Sequence, residues 1–442
     1  MQPNILVIIP HDLGTHLGCY GEDWLNTPAL DGLADEGVRF DQHYCTAAFC
    51  SPSRGAIFTG KYPHVNGLMG LVNLGWDLPE GNTLLSQMLR DAGYETSLFG
   101  FQHEIRNNDR LAAFFDHVSD RTGGFSCQRV APMVADFLRE RDHSRPFYAR
   151  VGFGEVHRSY DRFAPGNPDG VRVPDFLEDT PGARMDFAMF QGAIESLDQS
   201  VGQILDALET SGQKDNTLVV FVTDHGIAFP GAKATLYDPG LRTALLMRWP
   251  DGLDSGQVID EMISNVDVLP SVLEAAGVSV PGDVQGKSFW PLLQGGNYSP
   301  RDWVFAGKNT TWDDIKRCMR TRRYKYICNY DEGSRLKLSV ECEASLTRRD
   351  MGDAHLAPRV PVELYDLEAD PLERVNLAGR AEVAEAEREL AEQLARFQKE
   401  THDPILKGSI ERPPAEAANV QKVHERKLER VKQRDEMYPR DI

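Results

Sequence analysis

The chain opens with an unbroken apolar run, Ile5-Leu6-Val7-Ile8-Ile9, bounded by Asn4 and Pro10. It lacks the polar alternation of a half-exposed strand, so it predicts a strand buried on both faces of a parallel sheet. Further β-rich runs at Thr96–Gly100, Phe147–Phe153, Thr217–Thr223 and Ala244–Trp249 alternate with helical periodicity at Thr27–Glu36, Thr83–Ala92, Val130–Arg141, Met185–Thr210 and Val266–Ala276. In Met185–Thr210, Phe187, Phe190, Ile194, Leu197, Val201, Ile204 and Leu208 recur at steps of three or four, an amphipathic stripe. This alternation predicts an α/β catalytic-type domain over residues 1–300, with a central, mostly parallel mixed sheet flanked by helices.

From about Tyr298 the texture changes. Trp303–Ala306, Cys318–Thr321, Tyr324–Ile327 and Glu363–Leu367 read as short antiparallel strands, followed by a helix at about Glu382–Glu400 with Val383, Leu390, Leu394 and Phe397 on one face. Residues 301–405 therefore predict a smaller C-terminal α+β domain. The stretch 406–442 mixes Pro, Glu, Lys and Arg without a strong apolar stripe. It reads as a charged, solvated extension, with packing on a second subunit, as in a homo-oligomer, as the alternative.

Charge and cysteine usage narrow the partners. A net charge of −19 over 442 residues argues against nucleic acid. It leaves room for a small anionic substrate, because a few local cations and a metal dominate one pocket. No apolar run approaches the roughly 18 residues of a membrane span. The N-terminus has no basic region or small-residue cleavage site, so the sequence as written predicts a cytoplasmic location. Seven cysteines, at 19, 45, 50, 127, 318, 328 and 342, show no C-x-x-C spacing, which indicates neither structural zinc nor a disulfide framework.

Candidate chemistry sits where an open α/β sheet places ligands, at the carboxyl ends of strands. His11-Asp12 follows the first strand and Asp224-His225 follows Leu218–Val222. Carboxylates with imidazoles suit one divalent cation such as Ca²⁺, Mg²⁺ or Mn²⁺, the imidazoles favouring Mn²⁺. Spacing alone favours two separate loop turns, with each Asp a helix cap or turn residue. A third feature is Cys50-Ser51-Pro52-Ser53-Arg54, running to Thr59-Gly60. Pro52 in a first turn and Gly60 past the end predict a helix with Cys50 at its N-terminus. There the free N–H groups favour an anion and lower a thiol pKa. A buried structural cysteine is the other reading. Gly282–Ser288 looks like a phosphate loop, but three residues instead of four separate its glycines, and it reads as a structural turn.

Cys-x-Pro-Ser-Arg followed by Thr-Gly resembles the maturation signature of the sulfatase family, within the alkaline phosphatase superfamily. The resemblance spans nearly the whole chain, through Thr27–Asp31, Asp224-His225-Gly226, Gly286-Lys287-Ser288, Arg322–Tyr326 and Glu363–Leu367. Gly226–Lys233 further resembles the heparan N-sulfatase (sulfamidase) branch. The resemblance implies that Cys50 is oxidised to formylglycine by a formylglycine-generating enzyme, and that its hydrate is the nucleophile. It also implies that Asp12, Asp224 and His225, completed by modified Cys50, hold one divalent ion, Ca²⁺ by family likeness. Arg54 would bind the hydrate, His103 assist the aldehyde cycle, His157 protonate the leaving group, and Lys233 hold sulfate oxygens. His64 reads as a surface-loop histidine, a weaker candidate. The implied substrate is a small sulfated sugar, carrying a sulfate ester or a sulfamate.

Two residues depart from that pattern. His11 stands where most members have a first aspartate, and either joins the metal shell or lines the pocket. Phe101 stands where the family usually has a lysine, removing one sulfate-holding cation. Two alternatives therefore stay open: a phosphonate monoester or phosphodiester hydrolase of the same superfamily, which shares the Asp-His pair, and a catalytically weakened sulfated-glycan binding protein.

Overall fold

The computed structural model describes residues 2–309, 314–408 and 410–438. The opening run forms β1 (Asn4–Ile9), buried at all six positions. Ile5, Val7 and Ile9 join one apolar cluster and Leu6 and Ile8 another. Because successive side chains point to opposite faces, helices must cover both, and the run has no use for polar alternation. Each such side chain contributes about 1.5–3 kcal/mol through burial.

Around β1 lie β2 (Val38–Phe40), β3 (Glu95–Gly100), β4 (His117–Val118), β5 (Phe147–Gly152), β6 (Thr217–Val222), β7 (Leu245–Arg248) and β8 (Gln257–Ile259). Their spatial order in this eight-stranded sheet is β4-β3-β5-β1-β6-β7-β2-β8. Only β7 runs antiparallel to its neighbours. The fold class is thus the mixed, mostly parallel one that the alternation predicts. The short strands β2, β4 and β8 are additions to that reading. The register sets Ile8 beside both Val151 and Phe221, so the carboxyl ends of β5, β1 and β6 lie together.

The expected helices form as α1 (Pro28–Asp35), α2 (Cys50–Thr59), α3 (Leu85–Asp91), α4 (Cys127–Glu140), α5 (Pro181–Thr210) and α6 (Val268–Ala275). α5 starts at Pro181, one turn before its apolar stripe, where the Thr180 side chain accepts a hydrogen bond from the Ala183 N–H. Its stripe residues are buried against α4 and the sheet.

A separate antiparallel sheet follows, β9 (Trp303–Asn309), β10 (Ile315–Thr321), β11 (Tyr324–Asn329) and β12 (Val362–Asp366), in that order. A one-turn helix, α7 (Val340–Glu343), lies in the loop between β11 and β12. α8 (Ala384–Glu400) packs Leu390, Leu394 and Phe397 on the sheet. Tyr62 and Phe305 meet Phe397 there at ring-centroid distances of 5.0 and 4.6 Å. Asp238, from the loop after β6, pairs with Lys325 at 2.6 Å and Arg320 at 2.8 Å, tying the sheets together.

The charged C-terminal stretch, expected as a solvated extension, forms α9 (Glu416–Met437) and is fastened at both ends. Glu416 accepts from Trp76 Nε1 at 3.0 Å and pairs with Arg412 at 3.1 Å. At the far end, Arg434 donates to the Ser345 carbonyl at 3.1 Å, and Arg349 donates to the Tyr438 carbonyl at 2.7 Å. Val420 and Val423 pack on the large core, and polar anchors supply the rest of the hold in place of a continuous apolar stripe. Among the described residues, no helix is long and apolar enough to cross a membrane.

Candidate active site

Three chain segments converge at the carboxyl ends of β1, β5 and β6. Asp12, just past β1, takes φ 52°, a left-handed conformation that aspartate tolerates better than most residues and that concentrates at functional sites. Past β6, Gly226 follows Asp224-His225 because a Cβ there would lie 1.9 Å from the Pro239 carbonyl oxygen. α2 begins at Cys50 and ends at Gly60, whose φ is 65° and whose N–H donates to Ala56 O, as the Pro and Gly positions predict. All ten of its residues are buried, polar ones included.

Those polar residues stitch α2 to the strand ends. Arg54 Nη2 donates to Pro10 O at 2.8 Å, and its Nε donates to Asp224 Oδ2 at 2.9 Å. Ser53 Oγ donates to the Asp224 carbonyl, and Asn265 Nδ2 donates to Ser53 Oγ at 3.0 Å. Asp224 Oδ1 also accepts from the Asp12 and His225 N–H groups, both at 3.0 Å. Cys50 Sγ consequently lies 3.3 Å from His225 Nε2 and 3.9 Å from Asp12 Oδ1.

His11, Asp12, Cys50 and Asp224 offer ligand atoms that all lie within 4.8 Å of one another. His11 is in the cluster, its Nδ1 buried, 3.2 Å from Asp224 Oδ2 and without a hydrogen bond among the described residues. His225 Nε2 points the same way, 3.1 Å from Asp12 Oδ1, because its Nδ1 donates to the Gly226 carbonyl at 2.9 Å. A buried nitrogen without a hydrogen-bond partner among carboxylates fits a divalent cation well.

The electrostatics agree. Burial opposes ionisation of Asp12 and Asp224, yet Lys233, His157 and His225 around the first, and His225, Arg54 and His11 around the second, hold both well below the usual carboxylate range. Burial and Arg54 oppose protonation of His11, but Cys50, Asp224 and Asp12 prevail and raise it to about 10. The encoded Cys50 thiol is also pulled well below its ordinary value, against burial, by Lys233, His11 and His225. These carboxylates thus hold protons on the imidazoles that a bound cation would displace.

The remaining expected residues ring this centre. Lys233 Nζ lies 2.7 Å from Asp12 Oδ2. His157 is the solvent-facing member, its side chain 37% exposed and its Nε2 3.9 Å from Asp12 Oδ2. His103 is half-buried, its ring centroid 6.3 Å from that of His11, and desolvation lowers its pKa against the pull of Cys50. Phe101 packs on His11 at 4.4 Å and lies 5.2 Å from the Arg54 guanidinium. The two departures are therefore neighbours: an apolar ring supports the imidazole. His64 is elsewhere and is not a surface-loop residue. It is half-buried on the first turn after Tyr62, against Tyr62, Phe305 and Phe397, and bonds Thr401 Oγ1 at 2.8 Å.

Comparison with known proteins decides the family. Residues 3–278 match the family model described as Sulfatase. The chain belongs to the sulfatase family. It is accordingly an enzyme, a hydrolase of sulfate esters or sulfamates. Residues 228–340 of this sulfatase also match the model N-sulphoglucosamine sulphohydrolase, C-terminal. The sulfatase is 28% identical to human N-sulphoglucosamine sulphohydrolase across 91% of both chains. It is 24% identical to an N-acetylglucosamine-6-O-sulfatase of Bacteroides thetaiotaomicron, across 91% of this chain and 87% of that one. Among solved structures, one determined with its substrate D-glucosamine-2-N,6-O-disulfate matches with a TM-score of 0.73, at 22% identity, over 91% and 99% of the two chains. A phosphonate monoester hydrolase of Agrobacterium radiobacter shares the fold with a TM-score of 0.69, at 20% identity over 90% and 96%.

One residue of the sulfatase site has no counterpart in the sequence reading. Glu341, on α7, reaches Lys233 Nζ at 2.6 Å and His157 Nε2 at 3.8 Å. It lies in a loop-rich stretch with no motif around it, and only the chain fold brings it to the cluster.

Proposed function

We propose that the protein is a formylglycine- and metal-dependent sulfatase acting on a sulfated amino sugar, with N-sulfated glucosamine as the preferred class. The observation that carries this reading is Cys50 at the start of a fully buried helix, facing the His11–Asp12–Asp224 cluster, with Lys233 and His157 on its open side. The N-sulphoglucosamine model match and the relatives' names favour an amino sugar. A divalent cation held by Asp12, Asp224 and His225, with His11 as a further nitrogen ligand, would neutralise sulfate charge. Formylglycine at position 50, hydrated by one water, would supply two hydroxyls on one carbon.

Around these groups the side chains have separable tasks. Arg54, locked by Pro10 O and Asp224, keeps Nη1 buried and without a partner among the described residues, a donor free for an oxygen near Cys50. Lys233 brings a fixed positive charge to the sulfate oxygens. The Nδ1 of His157 donates to the Arg158 carbonyl at 2.6 Å, which turns Nε2 inward to give a proton to the departing nitrogen or oxygen. Lys233→Ala is expected to lower kcat/KM by about 10²–10³-fold. A loss below ten-fold in steady-state kinetics would assign the sulfate clamp to other groups.

Chelation is expected to abolish turnover and lower the melting temperature, because a ligand at 100 times its Kd stabilises by about 2.7 kcal/mol. Add-back separates the metals. The nitrogen-rich cluster predicts stronger reactivation by Mn²⁺ than an all-oxygen site would show, with Ca²⁺ the family alternative. Full activity in chelated, metal-free protein would refute the metal centre.

The deciding experiment is sulfate release by protein co-expressed with a formylglycine-generating enzyme, with N-sulfated and O-sulfated glucosamine offered in parallel. Mass analysis of the Cys50 peptide accompanies it. Release from the N-sulfated sugar sustains the proposal, and release from the O-sulfated sugar alone moves the substrate. Phosphate release from a phosphonate ester without sulfate release overturns it.

A further inference from the structure

Beside the catalytic cluster lies a cavity of about 180 Å³, walled by the segment Arg158–Asp161, by α5, by α7 and its C-terminal neighbours, and by α9. Three observations distinguish it from a packing gap. First, it adjoins the reacting centre: Glu341 lines it while contacting Lys233 and His157, and Arg158 directly follows His157. Second, Tyr160, also on its wall, is 2% exposed, yet its hydroxyl has no hydrogen-bond partner among the described residues. A buried hydroxyl left unpaired is costly, and one beside a cavity is a ready donor or acceptor for a ligand.

Third, the wall charges are satisfied except at two exposed side chains, Asp161 and Arg430, which make no ion pair among the described residues. Arg158 is held by Asp186 at 2.9 and 3.1 Å, and Arg434 by Asp435 at 2.7 Å and the Ser345 carbonyl. Arg430, one turn before Arg434 on α9, is exposed and makes no ion pair among the described residues. The volume is well below the ~300–1,000 Å³ of pockets for drug-sized ligands, so the cavity takes one ring-sized unit.

We propose that this cavity is the subsite for the sugar joined to the sulfated one, and that Arg430 recognises an acidic group on it. Tyr160 bonds an oxygen of that sugar. Glu341, an anion at the inner end, accepts from its hydroxyls and repels acidic groups, which orients the carboxylate or second sulfate towards Arg430. The inference rests on the sulfated-sugar reading above and adds a second binding site to it.

The test uses the full, matured chain with four substrates: N-sulfated glucosamine, that sugar linked to a uronic acid, the same disaccharide with its carboxyl reduced to an alcohol, and the reduced disaccharide bearing a sulfate. Arg430 is a surface position, so Arg430→Glu is expected to fold. The variant is expected to raise KM for one acidic disaccharide at least ten-fold more than for the monosaccharide. Which disaccharide responds identifies carboxylate or sulfate, and the reduced one follows the monosaccharide. Calorimetric binding of the disaccharides to Cys50→Ala, with and without Arg430→Glu, decides the point without turnover. An enzyme silent on every sulfated sugar fails the parent reading, while Arg430-dependent binding still sustains the subsite. Equal changes for monosaccharide and disaccharides, or no change for any, overturn it.

Discussion

Cys50→Ala is expected to remove sulfate release almost entirely, by on the order of 10⁵-fold or more, as loss of a nucleophile does elsewhere. The protein should remain folded. Cys50 contributes a small buried sulfur, and α2 keeps its anchors through Ser53, Arg54 and Asn265. Cys50→Ser is the sharper comparison. It preserves size and polarity, but a serine offers one hydroxyl where a hydrated aldehyde offers two, so turnover should be blocked as well. Sulfate release and denaturant unfolding measured on both variants check this. Appreciable steady turnover by either would show that the nucleophile lies elsewhere, with Cys50 a structural cysteine at a helix end.

Asp224→Ala is expected to damage stability as well as activity. Its carboxylate is the only acidic partner within salt-bridge distance of the Arg54 guanidinium among the described residues, and both side chains are 0% exposed. Removing it strands a buried positive charge and leaves the Asp12 and His225 N–H groups without their acceptor. Breaking one side of such a pair costs about 3–5 kcal/mol. The denaturant midpoint should fall accordingly, and activity should drop below detection with the cation site. A double variant in which Arg54 is replaced by methionine should recover part of the stability and none of the activity. A loss of less than about 1 kcal/mol in Asp224→Ala would mean that Arg54 finds another partner or water.

The contrast between readable and unreadable parts of this chain has a physical basis. β1 and α5 were legible because one core imposes one periodicity on each, unbroken apolar for a strand covered on both faces and three-to-four for a helix on the sheet. Cys50–Gly60 was legible because its proline and terminal glycine obey local backbone rules. The three-residue strands Val38–Phe40 and Gln257–Ile259 carry too few positions to show a period, and pairing at the sheet margin defines them. α9 escaped for a different reason: beyond Val420 and Val423 its hold is a handful of polar contacts, and two apolar positions make no periodic pattern. Glu341 reaches the site only by tertiary folding, and nothing local marks it. His11 and Phe101 were visible as departures, but that one ring supports the other emerges only from their packing.

The complete burial of α2 also imposes an order of events. Cys50 is 3% exposed in the finished fold, beneath segments that follow it in the chain, including Asp224 and Lys233. For the proposed oxidation of Cys50, an enzyme gripping this stretch would have to act while the later strands are still being made or are not yet docked. At 5–20 residues per second, synthesis from Cys50 to Asp224 takes roughly 10–35 s. On that reading maturation would be a race against closure, with the fraction of active molecules recording which finished first.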